Sequence, residues 1–310
     1  MPEIIDDKSE HCIPFIIDHI KQHRQRYETK GETPPPFFVG LNGVQGAGKT
    51  TLVTALSRTL SSAPHKLPVL VLSIDDLYLP HTAQVHLATA LWNNPLVQHR
   101  GQPSTHDINL GYQLFYSLAN RHTNIKIPSY DKSAFSGAGD RLPEDLWAVV
   151  NRPGEPTVDV VVFEGWCVGF RPLPDEGLER KWEAAARKFQ QEPAKYQGQL
   201  GRLNLESVQH VNTSLRSYDR LTDMFGAFVH IDAEDTQYVY TWRREQEAAL
   251  RAEKGTGMSD EQVVIFVNGY YPAYELYTDV LRKGIFGGET GKQLRLVVGR
   301  DRKVKEVLRI

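Results

Sequence analysis

Eight residues constrain this chain more than any others: Gly43-Val44-Gln45-Gly46-Ala47-Gly48-Lys49-Thr50. The run satisfies G-x-x-x-x-G-K-[ST], the spacing that turns backbone N–H groups inward around phosphate oxygens and sets them at a helix N-terminus. Such a loop works only between a strand and a helix. Residues 37–42 are an apolar run on one side, and residues 50–60 carry Leu52 and Leu56 at helical spacing on the other. Chance alone would place the motif in roughly one chain in a hundred of this length, and the correct flanks lower that further. Nucleotide is therefore expected on Gly43, Val44, Gln45, Gly46, Ala47, Gly48, Lys49, Thr50 and Thr51. Lys49 is expected to reach the β- and γ-phosphates, and Thr50 to place its hydroxyl on Mg²⁺. ATP and Mg²⁺ are the cofactors this implies.

The rest of the chain is read for a sheet to carry the loop. Besides 37–42, four short runs rich in Val, Ile, Leu or Phe lie at 68–74, 158–163, 226–231 and 293–298. None alternates, as expected of strands covered on both faces, and helical patterns separate them. Asp107 is expected to cap a helix carrying Leu110, Leu114, Phe115 and Leu118. Asp235 is expected to cap another that runs to about Glu253, and Ser259 with Gln262 reads as a capping box for a third. Residues 10–28 form a separate N-terminal helix, ended by Pro34-Pro35-Pro36. The division is a helix and Pro-rich linker over 1–35 and a nucleotide-binding domain over 36–310. A polar helical insertion at about 173–215 is expected to show a solvated, charged face.

Composition narrows the classes. Lys plus Arg number 36 against 38 Asp plus Glu, a net charge of −2 without the basic excess of a dedicated nucleic-acid binder. The longest apolar run is a strand's length, so no membrane partner is expected. The two cysteines, Cys12 and Cys167, match no metal-ligand spacing and read as core thiols. The acidic start, Met1-Pro2-Glu3-Ile4-Ile5-Asp6-Asp7, has no apolar signal region, and a cytoplasmic, monomeric protein is expected.

Carboxylates at strand ends supply the chemistry. Residues 68–74 run into Asp75 and Asp76, where an acid beside the nucleotide accepts a hydroxyl proton and helps hold Mg²⁺. Asp75, directly after Ile74, is expected to be that base; the alternative is that both acids merely cap a turn. Glu164 closes the run at 158–163 as a second acid near the metal. Two polar clusters suit an acceptor bearing a carboxylate: Arg100, His106 and Asp107, then Tyr130, Lys132 and Arg141, with Tyr78 beside Asp75. Against this stands a capped turn for the first and a solvated loop for the second. Arg243 and Arg244 are expected to close as a lid on the transferring phosphoryl group, unless Arg243 is spent on Glu247 one turn away. Tyr270, Tyr271, Tyr274 and Tyr277 read as packing.

These segments together resemble plant-type D-glycerate 3-kinase and its fungal ATP-dependent kinase relatives. The resemblance rests on the phosphate loop, Ser73-Ile74-Asp75-Asp76-Leu77-Tyr78, Arg100-Gly101 with Thr105-His106-Asp107, Pro128-Ser129-Tyr130-Asp131-Lys132-Ser133, Phe163-Glu164-Gly165-Trp166 and Trp242-Arg243. It spans about residues 36–300 and extends more loosely to pantothenate kinase, uridine kinase and phosphoribulokinase. It implies an α/β P-loop NTPase fold: a parallel five-stranded sheet flanked by helices, with a mobile lid. The expected activity is ATP-dependent transfer to a hydroxyl of a small anionic acceptor, D-glycerate first. Rival readings are another acceptor (a nucleoside, pantothenate or a sugar acid) and a nucleotide-binding regulatory or assembly ATPase. A GTPase is disfavoured because no N-K-x-D guanine motif occurs.

Overall fold

The computed structural model describes residues 6–255 and 257–310, so residues 1–5 of the expected N-terminal segment lie outside the described residues. Among the described residues the chain runs α1 (Ser9–Glu28), β1 (Phe37–Gly43), α2 (Lys49–Ser61), β2 (Val69–Ser73), α3 (His81–Ala90) and α4 (Ile108–Ala119). Four short strands follow, β3 (Ile125–Ile127), β4 (Tyr130–Asp131), β5 (Asp140–Arg141) and β6 (Ala148–Val150). Then come β7 (Val160–Gly165), α5 (Asp175–Gln191), α6 (Leu205–Leu215), α7 (Asp219–Thr222), β8 (Ala227–Ala233), α8 (Tyr238–Lys254), α9 (Asp260–Arg282), β9 (Gln293–Val298) and β10 (Val304–Arg309).

One sheet organises them, in the order β10-β9-β8-β1-β7-β2. Every residue of β1 and β8 is buried, the polar His230 and Asp232 of β8 included, as expected of strands covered on both faces. The five apolar runs are the five parallel strands, each within a residue or two of its expected bounds. The sheet nevertheless has six strands, not five: β10 returns antiparallel along β9. Its sequence, Val-Lys-Glu-Val-Leu-Arg, is mostly exposed at the sheet edge, so it carries no apolar run to betray it.

The helices cover both faces. Asp107 caps α4 by accepting from the Leu110 N–H at 3.0 Å, and Ser259 with Gln262 forms the capping box of α9. The helix expected after Asp235 begins later. Asp235 accepts from Gln237 N–H in a preceding turn, and α8 starts at Tyr238. In the 173–215 segment, α5 has the exposed charged face expected of it, with Leu178 buried. α6 does not: it buries Val208, Val211 and Leu215, so this half of the segment belongs to the core. Cys12 and Cys167 are free and buried. No helix among the described residues is long and apolar enough to cross a membrane.

Candidate active site

The phosphate loop leaves β1 at Gly43 and enters α2 at Lys49. Gly46 and Gly48 have φ of 85° and 95°, a region costly for any residue with a Cβ. At Gly46 a Cβ would also lie 2.5 Å from the Cβ of Trp242, so glycine lets α8 approach the loop. Lys49 Nζ donates to the Gly43 carbonyl at 2.7 Å and to that of Val44 at 3.4 Å. Desolvation pushes its pKa below the ordinary lysine value, while the negative charges of Glu164 and Asp75 oppose that shift. The ammonium thus sits among loop carbonyls and two acids at the start of α2, where a polyphosphate would complete its partners.

The acids arrive from adjacent strands. Ser73 pairs in register with Glu164, and Leu41 pairs with Glu164 from the other side. Glu164 therefore stands between β1 and β2 at their C-terminal ends. Asp75 is the second residue of the short helical turn Ile74–Leu77 after β2, its N–H donating to Ser73 Oγ at 3.3 Å. Lys132, from the loop joining β4 and β5, donates to Asp75 Oδ2 at 2.5 Å. Burial works to raise the Asp75 pKa. The charge and hydrogen bond of Lys132, helped by His106 and Tyr78, outweigh it and hold the carboxyl below the usual range. Asp76 goes the other way: burial and the Asp75 charge raise its pKa, against a hydrogen bond from the Tyr130 backbone. The two neighbours are thereby separated, one ionised against an ammonium, the other turned to the hairpin.

A wall of aromatic and basic residues stands over Asp75. The Tyr78 ring stacks on His106 at 4.4 Å between centroids and meets Tyr130 edge-on at 5.4 Å. His106 Nδ1 lies 2.7 Å from the Tyr218 hydroxyl, and burial pushes its pKa down to about 4, with Asp75 opposing. Asp107 pairs with Arg141, which also donates to the Tyr78 carbonyl at 2.9 Å. Arg100 donates to the carbonyls of Gly137 and Ala138 and lies 5.7 Å over the Tyr130 ring. Arg100 and Arg141 therefore spend their guanidinium groups on loop carbonyls and Asp107, and Lys132 is the exposed cation at the acid.

The structure engages the Arg243 side chain away from the phosphates. It is bonded to Glu247 on its own helix and lies 4.6 Å over the Phe266 ring. Arg244, its neighbour, is exposed. Sequence reasoning missed four contacts. Tyr218 fixes His106; Tyr274 receives the Gln45 N–H at 3.4 Å; Tyr270 lies where a Cβ on Gly101 would come within 2.8 Å; Arg302 donates to the Gly46 carbonyl. Tyr270 and Tyr274 stand at helical spacing and read as core, which they also are. Arg302 lies in a charged stretch with no local signal.

No family model matches the chain. It is 39% identical over 271 residues to the uncharacterized kinase mug58 of Schizosaccharomyces pombe, spanning 87% of this chain and 90% of that protein. It is 32% identical over 298 residues to the chloroplastic D-glycerate 3-kinase of Arabidopsis thaliana, spanning 94% of this chain but 59% of the plant protein. The solved D-glycerate 3-kinase from Cryptococcus neoformans var. grubii superposes with a TM-score of 0.85 at 34% identity, covering 97% of this chain and 99% of that one.

Proposed function

This chain belongs to the D-glycerate 3-kinase family of P-loop kinases, and on that premise we propose that it transfers the γ-phosphate of ATP to a hydroxyl of D-glycerate. The observation that carries the choice of acceptor is the Lys132 ammonium, 2.5 Å from Asp75 and more than half exposed. A small hydroxy acid brings a carboxylate for that cation and, a bond or two away, a hydroxyl for that base. An uncharged nucleoside would ask for an open aromatic face, and Tyr78 already has its ring covered by His106.

The step is in-line. The acceptor oxygen bonds to the γ-phosphorus, the bond from that phosphorus to the ADP oxygen breaks, and the hydroxyl proton passes to Asp75. Lys49 faces the β- and γ-phosphates and offsets their charge. Lys132 orients the acceptor carboxylate and leaves the base as it does so. Arg244, exposed beside Arg243, takes the role of lid cation, and Arg243 holds Glu247. Among the described residues no three His, Cys, Asp or Glu side chains form a protein cage for a metal. Mg²⁺ ordinarily takes one or two protein ligands and completes its shell with substrate phosphates and water. The Thr50 hydroxyl with the Asp75 and Glu164 carboxylates is the hard oxygen set that fits it. Bound there, Mg²⁺ supplies charge neutralisation on the phosphates.

A panel of hydroxy acids, nucleosides and pantothenate, read by ADP release, tests the assignment. D-glycerate is expected to give the highest kcat/KM. Turnover of a nucleoside or pantothenate with none of any hydroxy acid would overturn the acceptor and leave the kinase standing.

A further inference from the structure

The edge strand that the apolar pattern did not reveal has a turn aimed at the phosphate loop. Residues 299–303 join β9 to β10, and Arg302 takes φ 64°, its N–H donating to the Gly299 carbonyl at 2.8 Å. This left-handed backbone sends the side chain inward, where it is 8% exposed. Its Nε donates to the Gly46 carbonyl at 2.8 Å, and its terminal nitrogen meets Glu245 of α8 at 2.6 Å. Its guanidinium lies 5.4 Å over the Trp242 ring. Trp242 is fully buried, abuts Gly46, and donates its indole N–H to the carbonyl of Arg300 in the same turn at 2.8 Å. From the other side the buried Lys8 ammonium donates to the Arg302 carbonyl at 2.7 Å.

We propose that Arg302 is a positioning residue for nucleotide binding, holding the Gly46 carbonyl outward so that the phosphate loop keeps its donors turned in. The N–H and C=O of a trans peptide point in opposite directions. The peptide between Gly46 and Ala47 has no Cβ on its glycine side to hold ψ; its N–H donates to the Val44 carbonyl at 3.2 Å, and Arg302 holds its carbonyl. A flipped peptide would turn a carbonyl's partial negative charge into a cradle built for anions. Arg302 opposes that flip with a charge-assisted hydrogen bond from a buried guanidinium. Through Glu245 and Trp242 the same group ties α8 to the loop. The proposal rests on the kinase reading of this site but not on the identity of the acceptor.

The test measures Mg²⁺–ADP affinity by calorimetry on the full chain, without any acceptor. Arg302→Met keeps the stem against Trp242 and removes the guanidinium; ADP affinity is expected to fall about tenfold. Arg302→Lys, which satisfies one partner but not the fork, is expected to recover part of that loss. A residue that only supports the turn would lower the melting temperature and leave ADP affinity of the folded protein alone. ADP binding by folded Arg302→Met within about twofold of the parent would overturn the proposal. Should Arg302→Met fail to fold, Glu245→Gln decides, since Glu245 is partly exposed and its loss frees Arg302 without emptying the turn. About threefold weaker ADP binding is expected there, and unchanged binding would overturn the proposal. Because no acceptor is present, failure of the D-glycerate assignment would leave this result unaffected.

Discussion

Lys49 and Lys132 are both ammonium groups beside acids, and their surroundings give them different work. Lys49 bonds only to carbonyls of its own loop, so it serves phosphates and not the core. Lys49→Ala is expected to cut turnover at least about a hundredfold, the scale of losing a charge-stabilising donor, while the nucleotide-free melting temperature holds. A strongly destabilised apo variant would make Lys49 structural. Lys132 instead sets the state of Asp75. A base must be ionised, so activity falls as pH drops through its pKa, which Lys132 holds down against burial. In Lys132→Met burial wins, and the acid limb of the kcat/KM profile should move to higher pH. An acid limb that stays in place would show that Asp75 is not the titrating base.

The hairpin of β4 and β5 behaves as one element. Arg100, from outside it, binds the carbonyls of Gly137 and Ala138, where Gly137 and Gly139 take φ of 92° and 83°. The expectation from sequence, a guanidinium held out for the acceptor, gives way to a clamp on the loop that carries Lys132. Arg100→Ala should raise the KM for the acceptor by about tenfold and leave that for ATP unchanged, because the phosphate loop is untouched. Amide exchange over residues 132–139 should quicken in the same variant. An unaltered exchange rate with a raised KM would return Arg100 to direct acceptor contact.

Across the molecule, two buried histidines link stability to pH. Burial pushes the pKa of His106 and of His230 down to about 4, against about 6.5 in an unfolded chain. The unfolded state therefore takes up these protons first as pH falls. Their contribution is whole above about pH 6.5 and is lost toward pH 4, at up to about 1.4 kcal/mol per pH unit for each. Urea midpoints should be clearly lower at about pH 5 than at about pH 7.5, and equal midpoints would contradict buried, neutral imidazoles. What the sequence determined by itself is whatever depends on neighbours in the chain. The phosphate loop between its strand and helix, the five covered strands, the caps at Asp107 and Ser259, and the acids closing β2 and β7 all follow from local spacing and apolar runs. Tertiary structure decided what depends on residues far apart. It turned Arg243 to Glu247, committed Arg100 and Arg141 to loop carbonyls and Asp107, parked Lys132 on Asp75, and brought Arg302 across 256 positions to Gly46. A charged side chain reaches several partners from one backbone position, and only the assembled fold, by burying some and exposing others, settles which one it takes.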